Sequence, residues 1–152
     1  MKISNDTRDV LKNFSTINSG IKVTSGKKLQ TISNMKNILA VATVEEEFPQ
    51  DFSIYNLPEF LGATSLLDDA DFQFGDASVT ISDTNSALAY FYASEGMVTS
   101  PEKMITMPDA EVSFDVSSSL LNDLNKAASV LGVNDLILKS DGTTMTLEVT
   151  EK

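Results

Sequence analysis

Asp51-Phe52-Ser53-Ile54-Tyr55-Asn56-Leu57-Pro58-Glu59-Phe60-Leu61-Gly62 changes its period halfway along, and that change decides the fold. Phe52 and Ile54 alternate with polar neighbours as in a half-buried strand. From Asn56 the spacing becomes helical. Asn56 suits an N-cap and Pro58 a first turn, and Glu59, three residues after the cap, completes a capping box. The helix places Leu57, Phe60, Leu61, Thr64 and Leu67 on one side. Alternating strands then follow at about 71–74, 78–82 and 87–92, with turns at Gly75-Asp76 and Asp83-Thr84-Asn85.

The same order of elements occurs on both sides of this stretch. Upstream, a helix over about 5–17 groups Val10, Leu11, Phe14 and Ile17 and ends at Asn18-Ser19-Gly20. Strands at 21–24, 29–33 and 38–44 follow it, and Glu45-Glu46-Glu47 reads as a charged turn. Downstream, a strand at 111–116 leads into a helix over about 118–131 that gathers Leu120, Leu121, Leu124, Ala127, Ala128 and Leu131 and stops at Gly132. Ser117-Ser118-Ser119 reads as capping residues. Strands at 135–139 and 145–150 close on the hairpin turn Ser140-Asp141-Gly142-Thr143.

The fold class is therefore α+β, built from repeated strand-helix-strand meander units with helix starts near 5, 56 and 118. Two copies make residues 1–94 a complete first domain. Residues 95–107, with Gly96 and Pro101, read as an interdomain connector, and 108–152 as the first half of a second domain. The repeat spacing predicts a gene product running on for roughly 50 to 75 residues. The alternative is an exposed edge closed by association.

Composition narrows the function. The chain has no cysteine and no histidine, which removes disulfides, thiolate metal sites and the usual general base. No serine has a histidine to activate it, so the sequence points to a protein without catalytic residues, metal or cofactor. Asp68-Asp69 and Asp71 lack the spacing of a calcium loop and read as a solvated segment. The N-terminus has no signal-like apolar core and no run of residues is apolar for long enough to span a bilayer, so no membrane partner is expected. The net charge is -11, yet residues 1–40 hold seven cations against two acids and the remainder four against twenty. That asymmetry suits a protein with one face toward an anion, or a lysine-rich solvated end on an acidic protein.

Met1-Lys2-Ile3-Ser4-Asn5-Asp6-Thr7, the stretch from Leu11 to Ile21, and Phe52-Ser53-Ile54-Tyr55-Asn56-Leu57-Pro58-Glu59-Phe60-Leu61-Gly62 together resemble the DNA polymerase sliding clamps of the T4-type bacteriophages. The resemblance implies a DNA clamp fold with sheets outside and helices lining the inner face. It also implies a homotrimeric ring around double-stranded DNA, with the replicative DNA polymerase and the clamp loader as partners, in the cytoplasm of an infected bacterial host. A chain lacking its last repeat is expected not to close a trimer. The alternative is a non-DNA structural or interaction protein of the same architecture.

Under the clamp reading, loose and sequence-independent phosphate contacts fall to Arg8 and Lys12, four apart on the first helix, to Lys126 on the third, and to Lys2. Asp9 intrudes on the first of these faces. The second helix presents Glu59, Gly62, Ala63 and Leu66 outward, with no cation. Without the resemblance, these are ordinary solvated helix charges. The flexible apolar residues Met97, Met104, Ile105 and Met107 border the partner-docking cleft that the resemblance implies, or pack between domains.

Overall fold

The computed structural model describes residues 1–94, 96–102 and 109–151. It falls into two compact units, Met1–Ile105 and Thr106–Lys152.

Unit 1 begins with α1 (Asn5–Ile17), β1 (Ile21–Val23), β2 (Gly26–Ile32) and β3 (Leu39–Phe48). The second copy follows as β4 (Phe52–Ile54), α2 (Leu57–Thr64), β5 (Asp71–Phe74), β6 (Ser78–Ser82) and β7 (Ala87–Phe91). All strand pairs are antiparallel. β2 pairs with β3, and β6 lies between β5 and β7. β1 pairs with β4, so the first strand of the second copy is stitched to the first copy through Ile21 opposite Ile54 and Val23 opposite Phe52. Gly26, at φ 109, sits where the β2–β3 register slips, a backbone shape glycine adopts without a Cβ clash.

The helix ends follow their sequence signals. Ser4 caps α1 by accepting from the Thr7 N–H at 3.2 Å, and Asn56 caps α2 by accepting from the Glu59 N–H at 3.2 Å. The return half of the second box runs through side chains, with Asn56 Nδ2 donating to Glu59 Oε2 at 3.1 Å. Leu11 and Phe14 of α1, Leu57 and Phe60 of α2, and Phe72, Val79 and Ile81 of the sheet meet in one core. Phe52 anchors its aromatic part, with ring centroids 5.9 Å from Phe48, 5.2 Å from Phe74 and 5.3 Å from Tyr92.

Glu45-Glu46-Glu47 is not a turn. It lies inside β3, between buried Val44 and buried Phe48. The period of two carries Glu46 to the inward side, where its carboxylate accepts from the Ser4 N–H and the Thr7 hydroxyl at the start of α1. Three consecutive acids are poor strand formers alone, but a helix N-terminus supplies the donors that make an inward glutamate tolerable.

Unit 2 consists of α3 (Ser118–Leu131), β8 (Asp135–Ser140) and β9 (Met145–Thr150), the two strands forming a hairpin. Ser117 Oγ accepts from the Leu120 N–H at 3.2 Å, and Gly132 ends the helix at φ 69. Two expectations fail here. Residues 111–116 form no strand, because alternation alone gives a strand nothing to pair with. Leu124, Ala127 and Ala128 are only half-buried, while Leu120, Leu121 and Leu131 stay exposed and no α3 residue is fully buried. A single helix on a two-stranded hairpin covers only a strip of its apolar face. In unit 1, by contrast, α1 and α2 pack against each other.

Candidate functional site

The first candidate surface is the outer side of α1. Thr7, Leu11 and Phe14 turn inward, which leaves Asn5, Asp9, Lys12 and Thr16 exposed along the opposite side. Asp9 therefore sits near the centre of the polar face, where its Oδ1 lies 3.0 Å from Lys12 Nζ. Arg8 lies on the flank, half-buried, with Nε donating to the Ile3 carbonyl at 3.3 Å. That bond holds the guanidinium itself beside the helix N-terminus.

Glu46 governs this end of the helix. Burial raises its pKa, but hydrogen bonds from the Thr7 hydroxyl and from Ser4 outweigh that and hold the carboxyl below the usual glutamate value. The negative charge faces the positive end of the α1 dipole. No local sequence pattern could have found this role, because Glu46 is 42 residues from Ser4 in the chain.

The remaining predicted cations are dispersed. Lys2 pairs with Asp69, and Lys126, on α3 of unit 2, lies 3.9 Å from Asp123. These pairs and the Lys12–Asp9 pair are solvent-exposed. Exposed ion pairs contribute about 0–1 kcal/mol each, so the lysines can exchange a carboxylate for another anion at little cost. On α2, Glu59 and Gly62 are exposed and Ala63 is half-buried; Leu66, expected on the same helix, is exposed just beyond its end at Thr64.

The second candidate surface is an open groove of about 720 Å³ in unit 1. β1 contributes Lys22, the turn after β2 contributes Lys36, and Phe52, Ser53, Asp76 and Tyr92 form its floor and side. Val98, Thr99, Ser100 and Glu102 line it as well. Lys36 holds a left-handed backbone at φ 56, with its N–H on the Ser33 carbonyl at 2.8 Å. The Tyr92 hydroxyl is buried with no hydrogen-bond partner among the described residues, and burial raises its pKa. The lysines and carboxylates of the groove come from distant parts of the chain, so no local pattern signals their meeting. Met97 is exposed and lines a smaller cavity of about 200 Å³ with Asn18, Gly20 and Tyr55. Met104, Ile105 and Met107 lie outside the described residues. Among the described residues, no group of three His, Cys, Asp or Glu side chains is placed to hold a metal ion. No helix among them is long and apolar enough to cross a membrane.

A capped helix laid on antiparallel strands, with the unit then repeated, is the arrangement found in residues 4–100, and these residues match the family model described as DNA polymerase processivity factor. The chain belongs to the DNA polymerase processivity factor family. Curated relatives agree and extend the likeness into unit 2. It is 33% identical over 157 residues to the sliding clamp of Vibrio phage KVP40, a match covering 99% of this chain and 71% of the relative. The sliding clamp of Escherichia phage RB69 is 33% identical over 145 residues, covering 93% of this chain and 64% of the relative. That of Enterobacteria phage T4 is 34% identical over 140 residues, covering 91% and 61% respectively. This processivity-factor chain thus resembles the T4-type phage sliding clamps along nearly all its length, while spanning about two thirds of theirs.

Proposed function

We propose that the chain works as part of a sliding clamp, a non-catalytic subunit that holds the replicative DNA polymerase on duplex DNA. Family membership supports the processivity role, and the outer face of α1 carries the DNA part of the reading. Its polar strip exposes Lys12, with Arg8 half-buried on the flank, on a helix that packs against the β3 strand. Weak, non-directional cations of this kind suit a surface that must slide, since phosphate contacts position without specifying sequence. The Asp9 partner keeps Lys12 from binding too tightly. Lys2 and Lys126 serve as secondary phosphate contacts, while α2 lines the surface without attracting DNA.

In this reading the helices face the DNA and the sheets face outward. Residues 1–94, 95–107 and 108–152 act as first domain, connector and part of a second domain, and the ring is a homotrimer in longer relatives. Polymerase and clamp loader dock from the sheet side, at the groove lined by Lys22, Lys36 and Tyr92 and along the connector that includes Met97, Met104, Ile105 and Met107. The site of action is the cytoplasm of the infected host.

Charge reversal tests the DNA role. In Arg8→Glu/Lys12→Glu, the salt dependence of DNA retention should flatten by about one unit of log K against log salt per lost cation, and retention should fall at every salt concentration. If retention is unchanged while the variant remains folded, α1 is a solvated face and the reading becomes that of an interaction protein with a clamp-like fold.

A further inference from the structure

Residues 96–102 form a strap that borders two separate cavities. Val98, Thr99 and Ser100 line the 720 Å³ groove, and Met97, Val98 and Thr99 line the 200 Å³ cavity next to the turn between α1 and β1. A segment with open space on more than one side gains little from packing, so its few fastenings decide its position. The Met97 N–H on the Ser94 carbonyl, at 3.2 Å, is local. Among the described residues, Asn18 provides the hydrogen-bonded fastening to the core.

Asn18 is 6% exposed and uses its whole amide. Nδ2 donates to the Thr99 carbonyl of the strap at 3.1 Å and to the Ile32 carbonyl at the end of β2 at 2.9 Å. Oδ1 accepts from the Gly20 N–H at 3.0 Å. Its backbone N–H closes the last turn of α1 on the Phe14 carbonyl at 3.0 Å. Beside it, Val98 Cγ1 lies only 3.1 Å from where a Cβ on Gly20 would stand, so the strap rests directly on the glycine backbone.

We propose that Asn18 is a latch, a positioning residue that holds residues 96–102 as one wall of the groove, and that releasing it widens the groove. The effect on partner binding rests on the groove being the docking site; the latch itself does not. The same residue closes the C-terminus of α1, so strap position and the order of the last helical turn are linked. Only an amide meets the demand, with two donors for two carbonyls and one acceptor for an N–H. An aspartate of the same shape would keep the Gly20 contact but set a carboxylate against two carbonyl oxygens.

Native-state hydrogen exchange on the full chain tests this with Asn18→Asp, alongside Val79→Ala, which weakens the core away from the strap. In Asn18→Asp the Met97 amide, which the strap holds on the Ser94 carbonyl, should lose at least tenfold protection while the Val79 and Ile81 amides change less; Val79→Ala should show the reverse. Equal loss across strap and β6, or no change in the strap, overturns the latch. Should Asn18→Asp unfold the unit, Asn18→Ala, which removes the bonds without adding charge, is read by the same criteria. With no native cysteine, Ser100→Cys carries a single fluorophore. A label that does not respond to added replicative polymerase, in a protein whose exchange reveals the latch, overturns the docking assignment alone.

Discussion

The contact between Glu46 and the start of α1 gives a stability signature that can be checked over a range of pH. Glu46→Ala removes a carboxylate that accepts from the Ser4 N–H and the Thr7 hydroxyl, leaving both donors short of a partner at a half-buried site. Losing an N-terminal cap costs about 1 kcal/mol, and the charge at the helix dipole adds a few tenths in a solvent-screened position. The expected loss is about 1–2 kcal/mol at neutral pH, or a fall of roughly 5 °C in the melting midpoint. The sign with pH follows from the direction of the shift. The folded carboxyl ionises below its ordinary 4.5, so its contribution is complete above that value and is lost as the pH falls through the folded pKa. Glu46→Gln keeps an acceptor without a charge and isolates the titrating part. Circular-dichroism melts of wild type and Glu46→Gln from pH 7 to pH 3 should differ most at pH 7 and converge below 4.5. A gap that stays constant over that range would mean the Glu46 carboxylate does not stabilise the start of α1 through its charge.

Gly20→Ala should destabilise by about 1–3 kcal/mol in urea unfolding, since the new Cβ would stand 3.1 Å from the Ile54 and Tyr55 carbonyl oxygens and from Val98 Cγ1, and two of these three are backbone atoms. Wild-type stability in place of that loss would mean the strap and β4 are less closely seated than described. At high pH two half-buried phenols contribute. Burial, and for Tyr90 also the charge of Glu59, push Tyr90 and Tyr92 above their ordinary 10.0, so the fold should lose stability as the pH rises past 10. Tyr92→Phe, which removes a buried hydroxyl without a partner among the described residues, should reduce that loss at no cost at pH 7, as read by melts at pH 7 and pH 11.

The elements carried by short-range pattern were legible from the chain alone. α1 and α2 announce themselves by a period near 3.6 and by side-chain caps at Ser4 and Asn56, because a helix meets most of its needs within four residues. β5 and β6 begin and end where alternation and turn residues put them. The repetition of the unit, and through it the α+β class, needed nothing more than this. Short-range pattern misleads at 111–116, where alternation is present but a pairing partner among the described residues is not, and at Glu45-Glu46-Glu47, where local charge hides a strand. For the candidate site, the chain placed Lys12 and the intruding Asp9 on the exposed face of one helix, but not Arg8 on its half-buried flank with Nε on the Ile3 carbonyl.

The sequence by itself determined the three helices, most of the strands and the family, since each depends on residues close together in the chain or on a matching string of them. Only tertiary structure decided which charges are answered and by what. Lys2 meets Asp69 across 67 residues, Ser4 meets Glu46 across 42, and Asn18 reaches Thr99 across 81. Local pattern says nothing about such partners, because electrostatics and hydrogen bonding act through space and the chain must first be folded to bring them within 3 Å or so.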